Sequence, residues 1–315
     1  LCIILKFFNK IFWNIRIKRC FEISIFVLEM RMVNYIIDIV LKFLRLMRIG
    51  SGLTYDFFVA WAFIYIYLIY KIFDYRVISC VLALMLSIRL AFLVNNIADI
   101  GEDTKHRDGS QKNPLVTDKS LLRLAKVSAV LLPLVGLSLV TLLQDYVVIV
   151  LYVILITLDI TYSLPPRWKT FPPFDLISHG FFFGALLPYI VFRAMKIPVT
   201  PPLLLALLGI FFFSMSCELS NHIRDYKYDL VAGLNTTAIW LGYRKSIILN
   251  QLLLIISLLL LSLAILLSRY ALYPIILVQF TIGLLIIAKK RDLVIKNSSP
   301  LLILLLIEFL YFSLI

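Results

Sequence analysis

Nine apolar runs, each about the 20 residues a helix needs to cross a hydrocarbon layer, lie near 51–70, 77–98, 122–143, 145–164, 175–195, 200–219, 246–267, 271–288 and 299–315. No other feature of the sequence narrows the fold as far. A backbone in lipid must satisfy its own N–H and C=O groups, which leaves helices or closed barrels, and runs of this length read as helices. Gln144 and Asp145 divide the long apolar stretch 122–164 with a short turn. Composition agrees, since 62% of the residues are hydrophobic and 16% charged, against roughly half and a quarter in a soluble globule. Such a chain cannot hide its apolar surface inside itself. The expectation is an all-α integral membrane protein of nine transmembrane helices.

Lys and Arg number 31 against 18 Asp and Glu, a net charge of +13. In a soluble protein that excess would point to nucleic acid. Here it belongs to loops that meet anionic lipid head groups on the cytoplasmic side, so membrane lipid is the expected partner and nucleic acid is not. With the N-terminus in the cytoplasm, inner segments carry 25 Lys/Arg and outer loops five: Lys71, Arg76, Arg193, Lys196 and Arg269. Dropping or moving one middle span mixes the two groups. Arg89 lies within a span, where a charge is expensive unless paired; it is expected to pair with Asp56 or Asp159 or to reach toward the polar end of its helix near Asn95.

Residues 1–48 combine apolar side chains with nine basic ones, and Glu22, Glu29, Arg31 and Asp38 interrupt any spanning run. They read as a basic amphipathic segment in the membrane interface, ahead of a nine-helix domain over 49–315, with Arg45 and Arg48 as lipid-facing anchors. No signal-peptide order of regions is present. The chain begins at Leu1 rather than Met, so the stretch before Met30 or Met32 is expected to be upstream translation or an added segment, which the mass of the purified protein settles. Four scattered cysteines and three distant histidines give no spacing for zinc, an Fe–S cluster or a disulfide framework. Nothing in the sequence signals an oligomeric state.

Two polar motifs stand out. The second run leads into Asn95-x-x-x-Asp99-x-x-x-Asp103 and the sixth into Asn221-x-x-x-Asp225-x-x-x-Asp229. Spacing of four residues puts each trio on one helix face. An even number of spans separates the motifs, so both emerge on the same side, the cytoplasmic one. Clustered like charges at a membrane edge are costly, and divalent cations remove the penalty. Carboxylate oxygens in this pattern suit Mg²⁺, which usually binds one or two carboxylates plus substrate phosphates. Two ions and a diphosphate beside four Asp leave surplus negative charge that calls for nearby bases, supplied by Lys105, Arg107 and Lys112 in one loop and Arg224 and Lys227 in the other. An EF-hand does not fit, because the sixth and twelfth positions counted from Asp99 are Thr104 and Ser110 rather than Gly and Glu.

On these residues the chain resembles the UbiA superfamily of intramembrane prenyltransferases. The first motif looks like that family's first aspartate-rich motif, and Arg107 through Pro114 is similar to the loop that follows it. Asn221 through Ala238, with Gly233 and Thr236-Thr237-Ala238, looks like the second motif and its tail. Thr161 through Lys169 is close to the family's Y-S-x-P-P-x-x-x-K stretch after the fourth span. The resemblance implies nine helices around a central cavity capped by the aspartate loops. It implies Mg²⁺-dependent transfer of a prenyl group from an isoprenyl diphosphate to a lipophilic or aromatic acceptor. Asp99, Asp103, Asp225 and Asp229 would hold two Mg²⁺ ions, and Asn95 and Asn221 would orient metal-bound groups. Lys112, Arg107 and Lys227 would bind phosphate oxygens, Arg224 would do so or pair with an aspartate, and Tyr162 would turn its ring to the allylic cation. Asn96 departs from the family, which often has Asp there. Asn221 in place of Asp is similar to naphthoate-type members, and Phe174-Asp175-x-x-Ser178-x-Gly180 weakly resembles members acting on long polyenes. Glu218 and His222 read as helix-end caps. An ion-coupled membrane transporter is the alternative function; a CDP-alcohol phosphatidyltransferase would need a D-G-x-x-A-R signature that the chain lacks.

Overall fold

The computed structural model describes residues 30–35, 37–71, 73–105 and 113–268 and divides into two units, Leu1–Arg45 and Leu46–Ile315. In the first unit the described residues are helical, and Lys42 pairs with Asp38 one turn away at 2.8 Å. The second unit holds the site.

Its described residues are all helix and loop. Helices run over Ile49–Tyr70 (α1), Arg76–Ala98 (α2), Ile100–Asp103 (α3), Leu122–Thr141 (α4), Tyr146–Ser163 (α5), Phe174–His179 (α6), Leu187–Ala194 (α7), Pro201–Ala232 (α8), Thr237–Leu241 (α9) and Tyr243–Leu267 (α10). A π-helical segment, Gly180–Leu186, joins α6 to α7 into one rod. Six of these rods are long and apolar enough to cross a membrane, and α1 adds the apolar stretch Phe58–Tyr67. Seven of the nine expected spans therefore correspond to described helices, and the two near 271–288 and 299–315 lie outside the described residues. The protein is a multi-pass membrane protein.

Local chemistry sets the boundaries. Gln144 takes a left-handed backbone (φ 52°), and the Asp145 side chain accepts from the Val147 and Val148 N–H groups at 3.0 and 3.4 Å, so the expected turn becomes an N-cap. Arg193 pairs with the same carboxylate at 3.0 Å. Thr200 caps α8, whose Pro201-Pro202 start needs no N–H donors. At the other end Gly233 (φ 74°) adopts the left-handed turn that stops α8. This helix continues well past the expected boundary at 219 and carries the whole second motif without a break.

Helix α2 packs against α4 and α5, α8 against α10 and the π-helical segment, and α1 against α7. In the Phe174–Ala194 rod 67% of the spanning stretch is buried, whereas only 22% is buried in Lys119–Thr141. The latter therefore has a lipid-facing side. Val127, Val130, Leu131 and Leu134 form that side at helical spacing. Gly184 lets α8 approach closely: a Cβ there would sit 2.7 Å from the Ile210 carbonyl oxygen and from the Phe211 Cα. In the core, Arg89 pairs with Asp56, as the sequence led one to expect. Asp159, the other expected partner, accepts from Ser87 at 2.6 Å instead.

Candidate active site

The two motifs meet at one end of the helices. Helix α2 stops at Ala98, and Asp99 turns out of helical geometry (φ −99°, ψ 11°) before α3 resumes. The i to i+4 bonding survives the break: Asp99 N–H donates to the Asn95 carbonyl at 2.9 Å and Asp103 N–H to that of Asp99 at 2.8 Å. Asn95, Asp99 and Asp103 thus keep a common direction. In the second motif Asn221, Asp225 and Asp229 stand on the unbroken α8.

Arg48, at the start of α1, joins the two. It feels the charges of Asp103, Asp99 and Asp225 together, and these oppose the burial that lowers its pKa. Across the same space Glu102 and Asp229 are close enough to repel each other. Arg48 is therefore no lipid-facing anchor. Its Nε and Nη2 donate to Asn96 Oδ1 at 3.1 and 2.6 Å, and it lies 5.5 Å from the Phe92 ring centre. The Asn96 amide also donates to the Leu46 carbonyl at 2.9 Å. Where the family often has a carboxylate, this chain places a buried bracket that ties α1 to α2.

Asn113 completes the bracket on the loop side. Its amide donates to the Asn96 carbonyl and to Asp103 Oδ2, each at 2.8 Å, and its Oδ1 accepts from Leu115 N–H at 3.1 Å. Burial raises the Asp103 carboxyl above its ordinary pKa, and Asp99 adds to the effect. Asn113, Arg48 and Lys169 pull the other way without cancelling it.

Two cations from the loop after α5 close on the first motif. Lys169 Nζ binds both Asp99 oxygens and lies 3.3 Å from Asn95 Oδ1. Arg167 Nη2 donates to Asp99 Oδ1 at 3.0 Å and to Glu102 Oε1 at 2.6 Å. Partial burial would lower the Arg167 pKa, but Glu102 and Asp99 outweigh it and raise the value. Its Nε is buried with no partner, a donor left over in a crowd of carboxylates, which suits a phosphate oxygen. Both cations lie in the stretch Thr161 through Lys169, whose family resemblance by itself assigns neither of them a role; a basic pair following two prolines at the same membrane edge is the signal the sequence offers.

The remaining expected residues divide. Arg224 pairs with its neighbours, donating to Asn221 Oδ1 at 2.8 Å and to Asp225 Oδ1 at 3.4 Å. Lys227 is exposed, and residues two apart on a helix do not share a face, so it stands away from Asp225 and Asp229. Arg107 and Lys112 lie outside the described residues. Tyr162 points inward and donates to Glu218 Oε1 at 2.6 Å, with the Phe182 ring 5.3 Å away. Glu218 and His222 are not end caps but members of one polar cluster inside the helices with His179 and Asp175.

Among the described residues no three His, Cys, Asp or Glu side chains converge tightly enough to enclose a metal ion. Mg²⁺ does not require that, since it takes one or two carboxylates and fills its shell with water and substrate phosphate. Hard oxygen donors on two facing helix ends, with cations between them, fit the ion.

These features define a multi-pass membrane protein with a carboxylate-lined, cation-bridged site at one end of its helices. Residues 56–306 match the UbiA prenyltransferase family, and the chain belongs to that family. In fold it is similar to a UbiA homolog from Archaeoglobus fulgidus. The form of that homolog solved with GPP and Mg²⁺ superposes with a TM-score of 0.68 at 19% identity, over 87% of this chain and 96% of the other. The form with DMAPP and Mg²⁺ gives 0.69 at 18% identity, over 86% and 96%. A lycopene elongase/hydratase from Haloarcula japonica is 33% identical over 152 residues, 47% of this chain and 49% of that protein. One from Haloferax volcanii is 36% identical over 90 residues, 28% and 29% of the two chains. The chain thus spans about half the length of the first of these curated relatives and less of the second.

Proposed function

We propose that the protein transfers a prenyl group from an isoprenyl diphosphate to a lipophilic acceptor inside the membrane. The observation that carries this reading is the convergence of both aspartate motifs on Arg48. Asp99, Asp103, Asp225 and Asp229 are the side chains that would hold the metal, and two Mg²⁺ ions would offset the charge of the four carboxylates. When bound, Mg²⁺ neutralises the charge that builds on the departing diphosphate. Asn95 and Asn221 orient the groups around it. Lys169, Arg167 and Arg48, together with Arg107 and Lys112 of the first loop, direct positive charge at the phosphate oxygens, where preset charge lowers the barrier to breaking the allylic C–O bond. Arg224 steadies Asn221 and Asp225, and Lys227 guides the diphosphate from outside. The Tyr162 ring, held by Glu218, faces the allylic cation.

Membership of the UbiA family and the fold shared with the GPP- and DMAPP-bound homolog support this chemistry. A transporter would place its polar site near mid-bilayer on broken helices, whereas α8 runs unbroken through the second motif at the helix end. The excess of Lys and Arg on the site side supports a cytoplasmic site and N-terminus in a cell membrane, with the basic segment before residue 49 lying along the lipid head groups. Among acceptors a long polyene comes first, supported by the two lycopene elongase/hydratase relatives.

Purified protein incubated with labelled dimethylallyl, geranyl or geranylgeranyl diphosphate and a panel of polyene and aromatic acceptors, with and without Mg²⁺, tests the proposal. Label should move to an acceptor only with Mg²⁺, and Asp99→Asn or Asp225→Asn should abolish the movement in folded protein. Label that stays in the diphosphate with every acceptor refutes it.

A further inference from the structure

One polar cluster lies deeper than the diphosphate site, and its carboxylate, Glu218, has so far served only to hold Tyr162. Glu218 lies two turns before Asp225 on α8, about 10 Å deeper along the helix. The prenyl chain must run in that direction, because the other end of the site is polar. Four groups close on its carboxylate. Tyr162 Oη donates to Oε1 at 2.6 Å, and His222 Nε2 is 3.3 Å from the same oxygen. Asn221 Nδ2 donates to Oε2 at 3.1 Å, and His179 Nε2 is 3.5 Å from it.

The hydrogen bonds fix part of the proton count. The single Ser214 hydroxyl hydrogen goes to the His179 carbonyl oxygen at 3.1 Å, so His179 Nδ1, 2.9 Å from Ser214 Oγ, must be the donor there. A neutral His179 then turns a bare Nε2 lone pair toward Glu218 Oε2, acceptor against acceptor. A proton placed between them converts that opposition into a hydrogen bond. On the other side His222 Nδ1 faces Asp175 Oδ2 at 3.5 Å. Asp175 is itself fixed by Thr237, through its N–H at 2.6 Å and its hydroxyl. Side-chain exposure separates the roles. Glu218 keeps 12% of its side chain accessible and His222 10%, while His179 keeps 3% and Asp175 none. Glu218 is the carboxylate of the cluster that can be reached, and His179 and Asp175 are enclosed behind it.

We infer that Glu218 is a further catalytic residue, the base that takes the proton shed by the prenylated acceptor, with His179 as the positioning residue that shares it. This rests on the prenyl-transfer reading above. When the allylic carbon bonds to one carbon of an acceptor double bond, the other carbon becomes cationic and the diphosphate has already left with the C–O electron pair. The neighbouring C–H bond then breaks, its electron pair closes a new double bond, and the proton bonds to Glu218 and is shared with His179 Nε2. No oxidant or reductant is needed.

The test uses the full chain in lipid nanodiscs, dimethylallyl diphosphate, and the acceptor the panel identifies, lycopene first, in ordinary and perdeuterated form. Glu218→Gln should slow turnover by about 10²–10⁴-fold, the usual contribution of a positioned base, while prenyl diphosphate binding stays unchanged. A deuterium isotope effect absent from the wild type should appear, because proton loss becomes the slow step. Unchanged turnover, or a loss without an isotope effect, overturns the inference and leaves prenyl transfer standing. If Glu218→Gln also loses diphosphate binding, Glu218→Asp decides. Reduced turnover with the isotope effect supports the base, and turnover without it, or none, refutes it. A wild-type chain that prenylates no acceptor removes both readings together.

Discussion

Replacing Arg89 by Met would leave Asp56 as a lone charge among packed helices. The two side chains are only 9% and 8% exposed and pair directly. Asp56 Oδ1 and Arg89 Nη1 are buried without other partners, so neither group has a second contact to fall back on. Breaking such a pair from one side costs about 3–5 kcal/mol, whereas replacing both members with apolar groups is often neutral or stabilising. Ordinary interhelical hydrogen bonds in membranes contribute only about 0.6 kcal/mol on average. The magnitude therefore distinguishes a buried ion pair from a routine polar contact. Unfolding by SDS titration in mixed micelles, applied to the wild type, Arg89→Met, Asp56→Leu and the double variant, gives the full cycle. Each single change should cost several kcal/mol, and the double variant should recover most of the loss. Single costs below about 1 kcal/mol that simply add would show that the pair does not carry the packing assigned to it.

Gly184→Ala should destabilise the protein by about 1–3 kcal/mol, because its new methyl group would meet Ile210 and Phe211 backbone; Gly101→Ala, with nothing within 4 Å, should stay within about 0.5 kcal/mol, both read by the same titration. Arg48→Gln should lower kcat/KM for the prenyl diphosphate by about 10²-fold with the fold intact, and an unchanged value would remove Arg48 from the site. Because burial raises the Asp103 pKa, the folded chain holds a proton that the unfolded chain has lost as pH rises above about 4. This contribution to stability is present at low pH and disappears as pH climbs through the raised value; Asp103→Asn should flatten that part of a stability-versus-pH curve.

The spans were legible because lipid imposes one requirement, length in apolar residues, that a linear sequence displays directly. The paired motifs were legible for a similar reason, since four-residue spacing fixes a helix face before any neighbour is known. What the sequence hid was which face meets which. Arg48 looked like a lipid anchor, as basic residues beside spans usually are, and only the packing of α1 on α2 turns it toward Asn96. Glu218 and His222 looked like caps because the end of α8 was placed at residue 219; with the helix continuing to Ala232 they fall in its interior. Arg167 and Lys169 were in view within a motif, yet no spacing rule connects them with Asp99, some 70 residues earlier in the chain.

The two aspartate motifs are mounted differently. At about 1.5 Å per residue, the 32 residues of α8 make a rod of about 48 Å, longer than the hydrocarbon layer is thick. The second motif is thus held at a fixed height above the membrane core. The first motif straddles the break at Asp99 and is held from the side instead, by Arg167 and Lys169 on Asp99 and by Asn113 on Asp103. One wall of the site is thus set by a helix and the other by loop side chains far along the chain.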